Sequence, residues 1–341
     1  MNGLLIAIVL FLAAISVAQI VRIFELSSAL NKEDSNAVSP RDNDRQGKLL
    51  LIFGILFELS FFAMVYAWMP DTLPQPSSLH GVEYDALWDI SMGTIIIVFL
   101  LVQPILFYFS YKYRGVEGTK ASFIEHNNKL EMIWTVVPAL VLAVLIIYGM
   151  TTWSNTMNPK NDQQPIVIEV YAQQFKWTAR YAGDDNTLAY ANIHLIQGTN
   201  TLGVDTLDKN YADDKIAAEI HLPVGRPVLF KFRSQDVIHS AYMPHFRAQM
   251  NCVPGVPTQF QFTPTITTTD IRKDPEVIAQ VDRINALRLS QGKDPYEYDY
   301  LILCNKICGA AHYNMQMPIV VESVEQYNQW LKEQKTVAET L

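Results

Sequence analysis

Four apolar stretches precede residue 155: Leu4 to Ile23, Leu49 to Met69, Met92 to Tyr113 and Met132 to Trp153. Each is long enough to cross a hydrocarbon core, which needs about 20 residues. A bilayer offers the backbone no water, so such stretches must close their own hydrogen bonds as helices. The loop from Glu25 to Lys48 carries Lys32, Arg41, Arg45 and Lys48, the loop from Lys112 to Lys129 carries Arg114 and Lys120, and Pro70 to Asp89 has no Lys or Arg. The positive-inside rule then places the first and third loops in the cytoplasm and both termini outside. The first stretch lacks a basic n-region and outruns a usual signal-peptide core, so a retained helix is expected.

From about Pro165 the period changes. PIVIEVYAQQFKW, HLPVGRPVLFKF and TQFQFTPT are β-branched and alternate apolar with polar residues, the pattern of half-buried strands. The expected class is therefore membrane helix hairpins followed by an all-β, cupredoxin-like Greek-key sandwich. Two segments break the alternation: the polar, acidic Gly183 to Ala218, and Asp274 to Pro295, where Val277, Val281, Ile284, Leu287 and Leu289 suggest a helix.

The sandwich carries the chemistry. Residues 304 to 315 read CNKICGAAHYNM and place Cys304, Cys308, His312 and Met315 on one loop between two expected strands, Tyr298 to Leu303 and Pro318 to Val321. Thiolate, imidazole and thioether together suit copper, and two thiolates leave room for more than one ion. The rival readings fit less well. A covalent haem needs C-x-x-C-H. Zinc favours paired C-x-x-C knuckles and gains nothing from a methionine. A Cys304 to Cys308 disulfide would close a very short loop for little entropy. A further donor is expected from SQDVIHSAYMPHF, where His239 follows the strand Pro227 to Phe232 after a polar turn, whereas His245, after Pro244, reads as a surface or interface side chain. Cys252 reads as a small buried hydrophobe.

The ligand loop, DVIHS, the VPGV turn at Val253 to Val256 and LEMIWTVVPA at Leu130 to Ala139 together resemble subunit II of the cytochrome c oxidases, the subunit bearing the dinuclear CuA centre. The motifs cover most of residues 89 to 321; residues 1 to 88 show none. The resemblance implies that Cys304 and Cys308 bridge two coppers, that His239 and His312 are terminal ligands, and that Met315 and the carbonyl of Lys306 are weak axial ligands. The family usually has glutamate in place of Lys306, with its carboxylate toward a magnesium ion. An ammonium cannot ligate Mg²⁺, so no side-chain magnesium ligand is expected from this chain.

AQQFKW resembles the family's aromatic electron-entry stretch, with Phe175 where the first tryptophan is expected and Trp177 kept. Glu131 corresponds to a glutamate at the mouth of a proton pathway, and Asp236 to an acidic residue that helps dock the donor. The resemblance further implies oxidase subunit I and other oxidase subunits as partners, a cytochrome c donor, and a multi-pass place in a bacterial inner membrane with the copper domain in the periplasm. With net charge −8, nucleic acid is not an expected partner. The expected domains are an extra helix pair at 1–88, a helix hairpin at 89–155, the CuA domain at 156–323 and a tail at 324–341. Two alternatives are a membrane-tethered cupredoxin, which the second cysteine disfavours, and a quinol oxidase subunit, which would lack the ligand residues.

Overall fold

The computed structural model describes residues 2–30, 39–69, 72–158 and 163–341. Lys32 of the first basic loop lies outside them. The chain forms two compact units, Met1–Met69 with Thr94–Asn128, and Pro70–Gly93 with Lys129–Leu341.

The helices of the membrane part are α1 (Asn2–Leu30), α2 (Pro40–Trp68), α3 (Leu79–Lys112) and α4 (Asn128–Met157). Among the described residues, α2, α3 and α4 are long and apolar enough to cross a membrane. Helix α1 covers the first apolar stretch, and its residues 11–27 are exposed. Start signals are local: Ser39 caps α2 by accepting from the Asp42 amide at 3.1 Å, and Pro40 fills the first turn, where its missing N–H costs nothing. In the first unit Asp44 pairs with Lys48 at 2.6 Å and with Arg114 at 2.8 Å, tying α2 to the segment after α3.

The second unit is a two-sheet sandwich. Its strands are β1 (Ile166–Gln173), β2 (Lys176–Tyr181), β3 (Lys215–Ala217), β4 (Ile220–Pro223), β5 (Val228–Ser234), β6 (His239–Met243), β7 (Ala248–Cys252), β8 (Thr258–Phe262), β9 (Tyr300–Cys304) and β10 (Gln316–Glu322). One sheet has the order β3-β2-β1-β5-β8 and the other β4-β10-β9-β6-β7. Pairs β1/β5 and β4/β10 are parallel; the other pairs are antiparallel. Alternation does the sorting: in β9 Tyr300, Ile302 and Cys304 turn inward, and in β10 Met317, Ile319 and Val321 do the same. They meet Ile168, Val170, Phe230 and Phe232 of the facing sheet in one buried core.

Short helices complete this unit: α5 (Thr268–Ile271), α6 (Pro275–Ser290), α7 (Val324–Glu333) and α8 (Val337–Thr340). Residues 324–341, which sequence alone leaves as a tail, are folded onto the domain. A reciprocal cap between Ser323 and Gln326 starts α7, and Tyr327 and Val337 are buried. The acidic segment 183–218 also packs down, burying Ala189, Leu202 and Val204 with Val337 against Tyr171. Helix α6 packs Val277 into the core. It lines a cavity of about 690 Å³ together with Pro244, His245, Leu301 and Leu303.

The segment before α3 and the first turns of that helix are bonded into the sandwich. Ser77 N donates to the His245 carbonyl at 2.7 Å, Ser78 Oγ to the Phe246 carbonyl at 2.8 Å, and Arg247 Nε to Asp85 at 2.7 Å. His245, read from its place after Pro244 as a surface or interface side chain, is half-buried against that segment, with Nδ1 3.0 Å from the Gln75 carbonyl and Nε2 2.6 Å from the Tyr298 hydroxyl. A carbonyl can only accept, so Nδ1 carries the hydrogen and Nε2 accepts from Tyr298. Burial, with Arg247 adding its charge, lowers the pKa of His245 to about 4. The unfolded value is near 6.5, so the stability this group confers is complete above that pH and is lost as the pH falls towards 4. Acidification from pH 7 to 5 is expected to cost about 1–2 kcal/mol through His245 after discounting for partial exposure. Calorimetric unfolding of wild type and His245→Gln at both pH values measures it, and an equal acid loss in the two refutes it.

Candidate metal centre

Strand β9 delivers Cys304 to the start of a loop, and β10 takes the chain up again after Met315. The neck is closed by Cys304 N donating to the Met315 carbonyl at 3.0 Å, and Asn305 N donates to the Ser240 carbonyl of β6 at 2.9 Å. Gly309 has φ +142°, a region that favours glycine, and a Cβ there would stand 2.7 Å from the Phe175 ring. A turn over His312–Asn314 then brings His312 and Met315 back toward the cysteines.

Six donor groups converge. Cys304 Sγ lies 3.8 Å from Cys308 Sγ, 3.8 Å from His239 Nδ1 and 3.2 Å from the Lys306 carbonyl oxygen. Cys308 Sγ lies 3.5 Å from His312 Nδ1 and 3.9 Å from Met315 Sδ. One ligand atom from each of His239, Cys304 and Cys308 falls within 4.8 Å of the others. Both thiols are free, at nearly twice the length of a disulfide. Two sulfurs each about 2.3 Å from a shared ion at a roughly tetrahedral angle stand about 3.8 Å apart, so this pair is spaced to share metal. The donor set is soft sulfur and imidazole with one carbonyl, which fits copper. Burial pushes the Cys308 thiol up to about 11, with the hydrogen bond and charge of Cys304 adding to it. Lys306 turns its carbonyl inward while its side chain is exposed, so the lysine leaves the backbone contribution intact.

The residues around the donors fix their poses. Asp236 Oδ1 lies 2.9 Å from His239 Nε2, so the ring donates there and presents Nδ1 to Cys304. Although burial pushes the Asp236 carboxyl up, hydrogen bonds from His239 and from the Gln174 and Val237 amides outweigh it and hold the group below the usual range. Trp177 is buried in the core. Its Nε1 donates to the Met315 carbonyl at 3.3 Å, and its ring meets His239 edge-on at 6.1 Å. Phe175 is half-buried against Gly309, and the Gln174 amide donates to the Cys308 carbonyl. Sequence reasoning missed Gln174, and it missed the bond of Asp236 to His239; the three-residue step in DVIH was the available signal. Glu131 lies in the first turn of α4, apart from this cluster in the sequence and on another element. Asp236→Asn is expected to weaken copper retention about 10- to 100-fold. Competition with a chelator on the purified protein reads it, and unchanged retention removes the orienting role.

Fold and donors together define a membrane-anchored β-sandwich with a thiolate-rich copper-type site. Residues 49–152 match the model of the cytochrome c oxidase subunit II transmembrane domain, and residues 166–278 match that of its periplasmic domain. The first match takes in α2 as well as α3 and α4; the second ends before Cys304. The alternative cytochrome c oxidase subunit 2 of Bradyrhizobium diazoefficiens is 30% identical over 243 residues, 71% of this chain and 76% of that protein. The cytochrome c oxidase subunit 2 of Thermostichus vulcanus is 25% identical over 291 residues, 78% and 79% of the two chains. Among solved structures, the periplasmic domain of subunit II of cytochrome oxidase from Bradyrhizobium japonicum is similar at 19% identity and TM-score 0.31, covering 52% of this chain and 95% of that one. The chain belongs to the cytochrome c oxidase subunit II family.

Proposed function

We propose that this chain is the electron-entry subunit of a haem-copper oxidase, receiving electrons from a c-type cytochrome and handing them to haem in a partner subunit that reduces oxygen to water with proton translocation. The convergence of Cys304, Cys308, His239, His312, Met315 and the Lys306 carbonyl carries the reading. Two coppers bridged by both thiolates would supply a one-electron relay whose charge is shared over both ions. Cys304 and Cys308 would hold the copper through their thiolates, His239 and His312 through their imidazoles, and Met315 and the Lys306 carbonyl as its weaker donors.

Hydrogen bonds from the protein hold these donors in place. Asp236 sets the tautomer of His239, Trp177 pins the Met315 backbone and Gln174 pins Cys308, so the donors change little in position during turnover. Phe175, against Gly309, is the electron-entry side chain, with Trp177, bonded to the Met315 carbonyl, as the route inward. Asp236 serves the donor's docking as well as His239. Glu131 opens a proton path shared with the catalytic subunit. Lys306 contributes no side-chain ligand to magnesium. The sandwich faces the periplasm, anchored in the bilayer of a bacterial inner membrane with both termini on that side. The test is copper content with electron paramagnetic resonance of the purified complex. Two coppers sharing one unpaired electron support the reading; one copper with a localised signal, or zinc in its place, overturns it.

A further inference from the structure

Between Leu49 and Met69 the only Asp, Glu, Lys or Arg is Glu58, near the centre of the apolar run. Its surroundings are set by the seam between α2 and α3. Phe57 packs against Phe99 and Phe107 with ring centroids 6.0 and 6.2 Å away, and Phe61 packs against Phe99 at 4.6 Å. Gly54 lies so close to Phe107 that no Cβ would fit there. Positions 54, 57, 58 and 61 are one helical stripe, so Glu58 enters the seam with the phenylalanines. Both its carboxyl oxygens are buried and neither has a hydrogen-bond partner among the described residues.

Helix α3 answers with its own stripe. Positions 99, 103 and 107 share a face, which places Gln103 between the two phenylalanines along that face. Pro104 has no N–H, so the carbonyl of Leu100, four residues earlier, lacks its helical donor. A polar side chain at this depth is costly and marks an ion or proton path more often than a structural accident. A carboxylate can only accept, and no donor among the described residues lies within hydrogen-bond reach of either oxygen. A carboxylic acid, by contrast, has an O–H to give, and a released carbonyl one helix away is an acceptor.

We propose that Glu58 is a proton-exchange site in the membrane part of this chain: its carboxyl holds a proton in the α2/α3 seam and trades it with water admitted beside Gln103 and the Leu100 carbonyl. The inference is independent of the copper reading. Infrared spectra of the purified complex in H₂O and D₂O test it, together with labelling by a hydrophobic carbodiimide. In labelling, the acid O–H adds across a C=N bond and the acyl group moves to nitrogen, giving an N-acylurea with no leaving group. The expected result is a C=O band of undissociated carboxylic acid that moves in D₂O, disappears in Glu58→Gln and persists, shifted, in Glu58→Asp, with the label on Glu58. A Glu58→Gln spectrum identical to wild type, a band that ignores D₂O, or wild-type protein unlabelled at Glu58 each overturns it. The labelling arm decides the matter even where the glutamine variant fails to assemble.

Discussion

Serine in place of Cys308 is expected to abolish the proposed shared-electron copper signal and to lower electron input from the proposed donor more than about 100-fold. Replacing groups that merely support a metal ligand typically costs about 10- to 100-fold, so removing a ligand exceeds that range. Cys308 Sγ contacts three other donors: Cys304 Sγ at 3.8 Å, His312 Nδ1 at 3.5 Å and Met315 Sδ at 3.9 Å. A serine hydroxyl is shorter, harder and protonated, so His312 and Met315 lose the sulfur that ties them to the Cys304 side. The remaining His239, His312, Cys304 and Met315 are the donor types of a mononuclear set. The expected protein holds one copper or none, with its fold retained, because the loop neck closes through backbone bonds of Cys304 and Asn305 that the substitution does not touch. Copper analysis, resonance spectra and reduction kinetics on the variant check this. Two coppers with a shared electron in Cys308→Ser would show that the bridge lies elsewhere.

Much of this site is legible because five of its six donors fall within twelve residues, where spacing alone fixes the pattern. His239 is legible for a different reason: it opens a strand after a polar turn, and β6 does begin there. Gln174 is not, since its partner Cys308 comes from another turn and only the folded sandwich brings the two together, whereas the bond of Asp236 to His239 spans three residues of one turn. The buried charges misled in a physical way. In PIVIEVYAQ and KWTARY the polar positions 169 and 180 alternate with apolar ones and so read as facing water. Segment 183–218 and α8 cover that face, which the period of a strand cannot reveal.

Arg180 is the group on which that covered face depends, and Arg180→Met is expected to destabilise the domain by about 3–5 kcal/mol, the usual cost of stranding a buried charge. Its Nε donates to Glu169 Oε2 at 2.8 Å and its Nη1 to Asp214 Oδ2 at 2.8 Å, with a further bond to the Ala189 carbonyl at 3.1 Å. Glu169 keeps a second arginine, Arg233, at 2.5 Å, whereas Asp214 is fully buried and has no other cation among the described residues. Burial already raises Asp214 to about 6 against the opposing pull of Arg180. A carboxyl raised in the native state binds its proton more tightly than in the unfolded chain, so its contribution is favourable below about pH 4 and is lost as the pH rises through the native value. The deficit of Arg180→Met is thus expected to be larger at pH 8 than at pH 5. Adding Asp214→Asn keeps an acceptor for the Ala189 amide, now 3.1 Å from Oδ2, while removing the stranded charge, and should recover about half the loss. Thermal unfolding of the three proteins at both pH values decides it: a single variant within about 1 kcal/mol of wild type, or no recovery in the double variant, would mean that apolar packing rather than charge pairing holds segment 183–218 in place.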